Sequence, residues 1–151
     1  MNVSEEELIE FIKPILKDKG FRKKAKRWTK TTEHFTYLFF IQGSSYDKDD
    51  YYVRPGIIVN DIQAEPWVYG HFDIDIPVTT KEEILQKAED FFSQYSSIEY
   101  LKKTVADFVE WEKRNPVEKR RAGEVDYIAD PVPAYELFSL TKKAKEEILK
   151  L

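Results

Sequence analysis

Leu8, Ile9, Phe11, Ile12, Ile15 and Leu16 recur at a 3.6-residue period near the start of the chain, which predicts an amphipathic helix. Ser4 and Glu7 form an S-x-x-E capping box before it, with Val3 and Leu8 spaced as a hydrophobic staple. Gly20, behind Lys17 and Lys19, marks its end. Pro14 lies inside the stripe, and its missing N–H predicts a kink or a restart of the helix there.

From Phe21 the pattern changes to short β-rich runs: "KRWTKTT", "HFTYLFFIQ", "DYYVRPGIIV" and "HFDIDIPV", separated by "GSSYDKDD" and "NDIQAEP". In the last run Phe72, Ile74, Ile76 and Val78 alternate with His71, Asp73 and Asp75, as a half-buried strand requires. Pro55-Gly56 interrupts the third run and predicts a bulge or an edge position.

Helical spacing returns after Thr79 and Thr80, which cap a helix with core face Ile84, Leu85, Ala88, Phe91, Phe92 and Tyr95. Ser96 with Glu99 predicts a fresh start for a helix carrying Leu101, Val105, Phe108 and Val109, ending before Asn115-Pro116. Residues 114–133, polar and proline-flanked, read as a long loop, and Leu137, Leu140, Ala144 and Ile148 read as a final helix. The fold class is therefore α+β: an N-terminal helix, an antiparallel meander of about four strands, and two or three C-terminal helices packed on the sheet.

Composition changes this picture by exclusion. A chain of 151 residues suits one domain, here 1–151, and 42% hydrophobic with 15% aromatic residues supplies a core without staples. There is no cysteine, which removes disulfides, thiol nucleophiles and thiolate metal sites together. The acidic opening "MNVSEEELIEF" is unlike a secretory signal, and no apolar run approaches the roughly 20 residues of a membrane span. A cytoplasmic location without membrane contact is the expectation. Net charge is −4, so attraction to polyanions must be local.

The segment "GFRKKAKRW" after the first helix, then "FFIQGSSYDKDDYYVRPGIIV", then a helix and "IEYLKK", resembles the bacterial domain of unknown function 4304 family. Gly20, Phe21, Lys23 and Lys24 match that family's GF-K-K strand, Gln42 and Ser44 its Q-x-S element, and Tyr52, Val53, Gly56 and Ile57 its third strand. Arg54 stands where the family often has asparagine, and the tail after Lys113 has no counterpart. The resemblance spans roughly residues 4–103 and implies a fold more than an activity.

Three kinds of chemistry are written in the residues. Arg22, Lys23, Lys24, Lys26, Arg27 and Lys30 bracket Trp28, the mixture of cations and a stacking ring that single-stranded nucleic acid uses. Strand alternation would divide those cations between two faces, and a solvated basic strand that protects a sheet edge has the same composition. His71, Asp73 and Asp75 share one strand face and could ligate a divalent metal for hydrolysis. A same-face repeat of nearly 7 Å demands a bend, or help from Asp61 or Glu65. Tyr46, Asp47, Asp49, Asp50, Tyr51, Trp67 and Tyr69 lie in or beside loops, where rigid rings with polar tips serve as binding anchors.

No G-x-S-x-G elbow, P-loop or dinucleotide fingerprint occurs, and His34 and His71 are the only histidines. The expectation is a non-catalytic protein-binding module of immunity or regulatory type, without a cofactor. Its acidic net charge suits a cationic protein partner. A nucleic-acid-binding module through residues 22–30 and a metal-dependent hydrolase at His71, Asp73 and Asp75 are the alternatives.

Overall fold

The computed structural model describes residues 3–43, 50–63 and 65–151. Helix α1 runs Glu5–Asp18, and Ser4 Oγ accepts from Glu7 N–H at 3.2 Å, satisfying one of the orphan donors of its first turn. Pro14 neither ends nor splits it: the helix continues through to Asp18. Leu8, Ile12 and Leu16 are its buried stripe, and Gly20, at φ +93°, turns the chain into the sheet.

Five strands follow in the order β1 (Arg22–Lys24), β2 (Arg27–Thr31), β3 (Phe35–Gly43), β4 (Tyr51–Val59) and β5 (His71–Asp73), each antiparallel to the one before. One strand more than expected arises because residues 22–30 are a hairpin rather than a single strand. Lys24 pairs with Arg27, and Ala25 sits at φ +55° in the tight reversal between them. That conformation is ordinarily left to glycine or asparagine, so no turn residue announced it.

Pro55 is neither at an edge nor in a bulge. It pairs with Phe39 inside β4, and the register between β3 and β4 runs unbroken through it. On the other side Pro55 O accepts from Ile74 N–H at 3.1 Å, while the reciprocal donor does not exist. The outer ladder therefore stops at Asp73 and resumes only as a bridge between Val53 and Ile76, in the same register.

Short helix α2 (Pro66–Tyr69) fills the connection between β4 and β5. Helix α3 (Lys81–Gln94) is capped by Thr80, whose Oγ1 accepts from Glu83 N–H at 3.2 Å. Helix α4 (Ile98–Arg114) is capped by Ser97, not Ser96, which instead bonds Ser93 O at 2.9 Å. The expected loop 114–133 contains helix α5 (Val117–Arg121). The final helical pattern divides into a 3₁₀ turn (Tyr135–Ser139) and helix α6 (Lys142–Leu149), which restarts at the Thr141 cap.

One apolar cluster joins α1, α3, α4, the 3₁₀ turn and α6 to one face of the sheet. Its centre is aromatic: Phe72 meets Tyr95 edge-on at 4.9 Å and Phe91 at 6.1 Å, and Tyr37 donates its hydroxyl to Tyr95 O at 3.0 Å. No helix among the described residues is long and apolar enough to cross a membrane.

Phe21 is buried in this cluster, with its ring 5.7 Å from Phe92, whereas Lys24 is exposed. Phe21→Ala is expected to cost about 3–5 kcal/mol, and Lys24→Ala about 0.5 kcal/mol or less. Chemical denaturation of both variants at one salt concentration measures the difference.

Candidate binding face of the sheet

Helices α1, α3, α4 and α6 all lie on one face of the sheet. On the other, the strand register sets Lys24, Arg27, Phe40 and Arg54 side by side in one lateral row, about 5 Å from strand to strand. Arg27 is held between two rings, its guanidinium 5.0 Å from Trp67 and 5.9 Å from Phe40. Trp67 reaches it from α2 and also lies tilted against the His71 ring, with centroids 5.1 Å apart. Arg54 Nε donates to Asp75 Oδ1 at 2.6 Å, Nη1 reaches Gln42 at 3.4 Å, and the Tyr52 ring lies 5.7 Å away. Trp67 is 47% exposed and Tyr52 45%, so the face offers rings as well as charge to solvent.

This arrangement follows from the two-sided character of β3. Phe35, Tyr37, Phe39 and Ile41 enter the main core, while Leu38, between them, is buried on the opposite face together with Ile58 of β4. Two apolar residues at the middle of the second face demand cover, and α2 packs against β4 and β5 there. Gly56 makes room for the neighbouring His71 ring, since a Cβ at that position would stand 3.0 Å from His71 Nε2.

The residues singled out from sequence divide sharply. Trp28 is 1% exposed and meets Phe39 edge-on in the core, so it has no face on which a base could stack. Lys30 shares the Trp28 side of β2, Lys26 pairs with Glu5 of α1, and Arg22, Lys24 and Arg27 lie on the open side. Tyr51 is likewise core rather than loop anchor: it is 6% exposed and donates to Val3 O at 2.6 Å. Tyr69 turns away from the row, with Lys143 5.2 Å over its ring. Asp50 is exposed, and Tyr46, Asp47 and Asp49 lie outside the described residues.

His71, Asp73 and Asp75 do share one side, but Asp75 is engaged by Arg54 and Asp73 stands 3.8 Å from His71 Nε2. Among the described residues no three His, Asp or Glu side chains converge as a metal site would require. Phe40, Gln42, Tyr52 and Arg54 were missed. Their signal was present: Leu38 and Phe40 break the inside-outside alternation of "HFTYLFFIQ", which marks a second face in use.

Two histidines bracket this part of the sheet with opposite electrostatics. Burial pushes the His71 imidazole below its ordinary 6.5, against the opposing pull of Asp73, and the Arg27 charge lowers it further. His34 is raised, chiefly by its 2.5 Å hydrogen bond with Asp61. As pH falls below 6.5 the unfolded chain protonates His71 more readily than the folded one, so stability is lost between 6.5 and the depressed folded value. His34 acts in reverse, its contribution being lost as pH rises from 6.5 through its raised value. His71→Gln is therefore expected to lose less stability than the parent between about pH 7.5 and 5.5, and His34→Gln more, as read from urea midpoints at each pH.

A family model described as "Domain of unknown function (DUF4304)" matches residues 12–100, more than half of the chain. The matched region holds the whole sheet, with α2, α3 and the beginning of α4. No curated protein and no solved structure matches the chain. With the family model matched over that much of its length, this chain belongs to the DUF4304 family.

Proposed function

We propose that this domain is a non-catalytic binding module that receives another protein on the open face of its sheet, and that the partner presents acidic side chains there. The observation that carries this reading is the Arg27 guanidinium held between Phe40 and Trp67, with Lys24 and Arg54 in the same row. Arg, Trp and Tyr are the side chains that dominate the energetics of protein interfaces, and here Arg27, Arg54, Trp67 and Tyr52 lie within one face. Arg27 is already oriented by its two rings, so little side-chain freedom is lost when a carboxylate docks on it.

Net charge alone pointed to a cationic partner; the local face points the other way. The carboxylates of α1 and α3 that make the chain acidic project elsewhere, and potential at a docking surface is set within about a Debye length, about 8 Å in physiological salt. Nucleic acid is the competing occupant. Burial of Trp28 and the division of the basic segment between two faces take away much of what favoured it.

Affinity capture from cells that naturally express the chain, comparing the parent with Arg27→Glu and Trp67→Ala, tests the reading. A defined protein should be captured by the parent, survive nuclease treatment, and fall by about 30-fold or more in affinity with either variant, the loss expected of a hot-spot residue. Nuclease-sensitive capture would assign the face to nucleic acid. Equal capture by the variants would remove the face from binding altogether.

A further inference from the structure

The sheet has two edges, and their outward backbone groups fare differently. At the β5 edge Ile74 and Ile76 direct their N–H groups to β4, so His71 and Asp73 turn theirs outward, where the 3₁₀ turn packs against them with Ser139 Oγ 3.3 Å from His71 O. At the other edge, Thr32 N–H bonds Phe35 O and Lys26 O accepts from Ile41 N–H, so the even-numbered residues of β2 face β3, and Arg27 and Thr29 face β1. Their partners Lys24 and Arg22 are bonded inward, and between them the N–H and C=O of Lys23 point away from the sheet. Arg22, Lys23 and Lys24 are all exposed, and among the described residues no other element bonds the Lys23 backbone.

The charges along this edge are as open as its backbone. Lys26 is engaged by Glu5, but Arg22, Lys23, Lys24, Arg27 and Lys30 meet no carboxylate among the described residues. A hollow of about 540 Å³ at one end of β1 is lined by Lys24, Ala25, Arg27, Phe40 and Gln42, and one of about 510 Å³ at the other by Gly20, Arg22, Thr29, Lys30 and Thr31. Lysine on a short edge strand turns away stray strands. Here it rejects apolar and basic ones and admits a strand that brings carboxylates. A second copy is a poor occupant, because two β1 edges paired about a two-fold axis would set Arg22, Lys23 and Lys24 against their own equivalents.

We infer that the acidic partner docks by adding an extended segment to β1, its central residue exchanging both backbone bonds with Lys23 and its two neighbours setting carboxylates beside Arg22 and Lys24 on the open face. Residues on either side of a strand position point the same way, so the recognised pattern is acidic-x-acidic with a small or apolar x. The added segment continues the lateral row outward from Arg27 and Lys24. The inference rests on the reading above only in taking the partner to be an acidic protein.

Titration of the full, isotope-labelled chain with an end-blocked peptide of alternating glutamate and valine, read by NMR, tests it. The Lys23 amide should exchange with solvent about tenfold more slowly or less when the peptide is bound, and a lysine-valine peptide should leave it unchanged. Lys23→Pro removes only an outward donor, so the variant should keep its fold by circular dichroism and bind the peptide about tenfold more weakly than Lys23→Val, which lacks the charge but keeps the amide. Binding that leaves Lys23 exchange unaltered, equal affinity in the two Lys23 variants, or no binding by about 5 mM peptide overturns the inference. So does a dimer of the parent that protects the Lys23 amide without peptide, which gives the edge to a second copy. Should Lys23→Pro fail to fold, the exchange measurement in the parent decides. Trp67→Ala separates the two readings: a peptide lost with Trp67→Ala but indifferent to Lys23→Pro lies across the face and overturns the edge, whereas one lost with Lys23→Pro but indifferent to Trp67→Ala supports the edge alone.

Discussion

Nine consecutive residue pairs join Phe35–Gly43 to Tyr51–Val59, and this ladder decides which side chains meet the helices and which meet solvent. Tyr37, Phe39, Ile41, Val53 and Ile57 belong to the core only in this register; a slip of one residue would exchange them for Thr36, Phe40, Gln42 and Arg54. The aromatic core enforces it from one side. Phe72 of β5 is locked between Phe91 and Tyr95 of the third helical segment, and β5 in turn fixes β4. The open face inherits its order from the buried one, since the row from Lys24 to Arg54 exists only because its strand neighbours are pinned from behind.

Pro55 shows how such a sheet tolerates a residue that cannot donate. Its carbonyl and its missing N–H both aim at β5, the outermost strand, so the defect falls on the outer ladder and leaves the nine-pair ladder intact. The loss is limited because Ile74 N–H still finds Pro55 O, and one step on Arg54 and Asp75 face each other and bond through their side chains.

Much of the architecture was legible because its signals are local. Ser4, Thr80 and Gly20 announce helix ends by short-range chemistry, and the alternation from Phe72 to Ile76 needs only adjacent residues. The hairpin at Ala25 was hidden because alanine occupies a left-handed position that turn rules reserve for other residues. Helix α5 was hidden because it is short, polar and without a buried residue, and its place is set by Arg120, which packs over Trp111 and Phe138. The candidate face was half legible. Arg27 and Trp67 were named for different sites, and only the strand register and α2 bring them together. Trp28 and Tyr51 looked like surface residues by their polar neighbours, but sheet alternation outweighs sequence neighbourhood in deciding burial.

The bond between Arg54 and Asp75 gives the open face a built-in competitor. Tethered to the same sheet, the Asp75 carboxylate faces Arg54 at an effective concentration on the order of millimolar or more. A lone carboxylate diffusing in must displace it and gains little, because one ion pair is exchanged for another. A ligand bearing several carboxylates can engage Lys24 and Arg27 first and reach Arg54 as an intramolecular step. If the face binds as proposed, it thereby discriminates by valence, indifferent to scattered acidic groups and responsive to clustered ones.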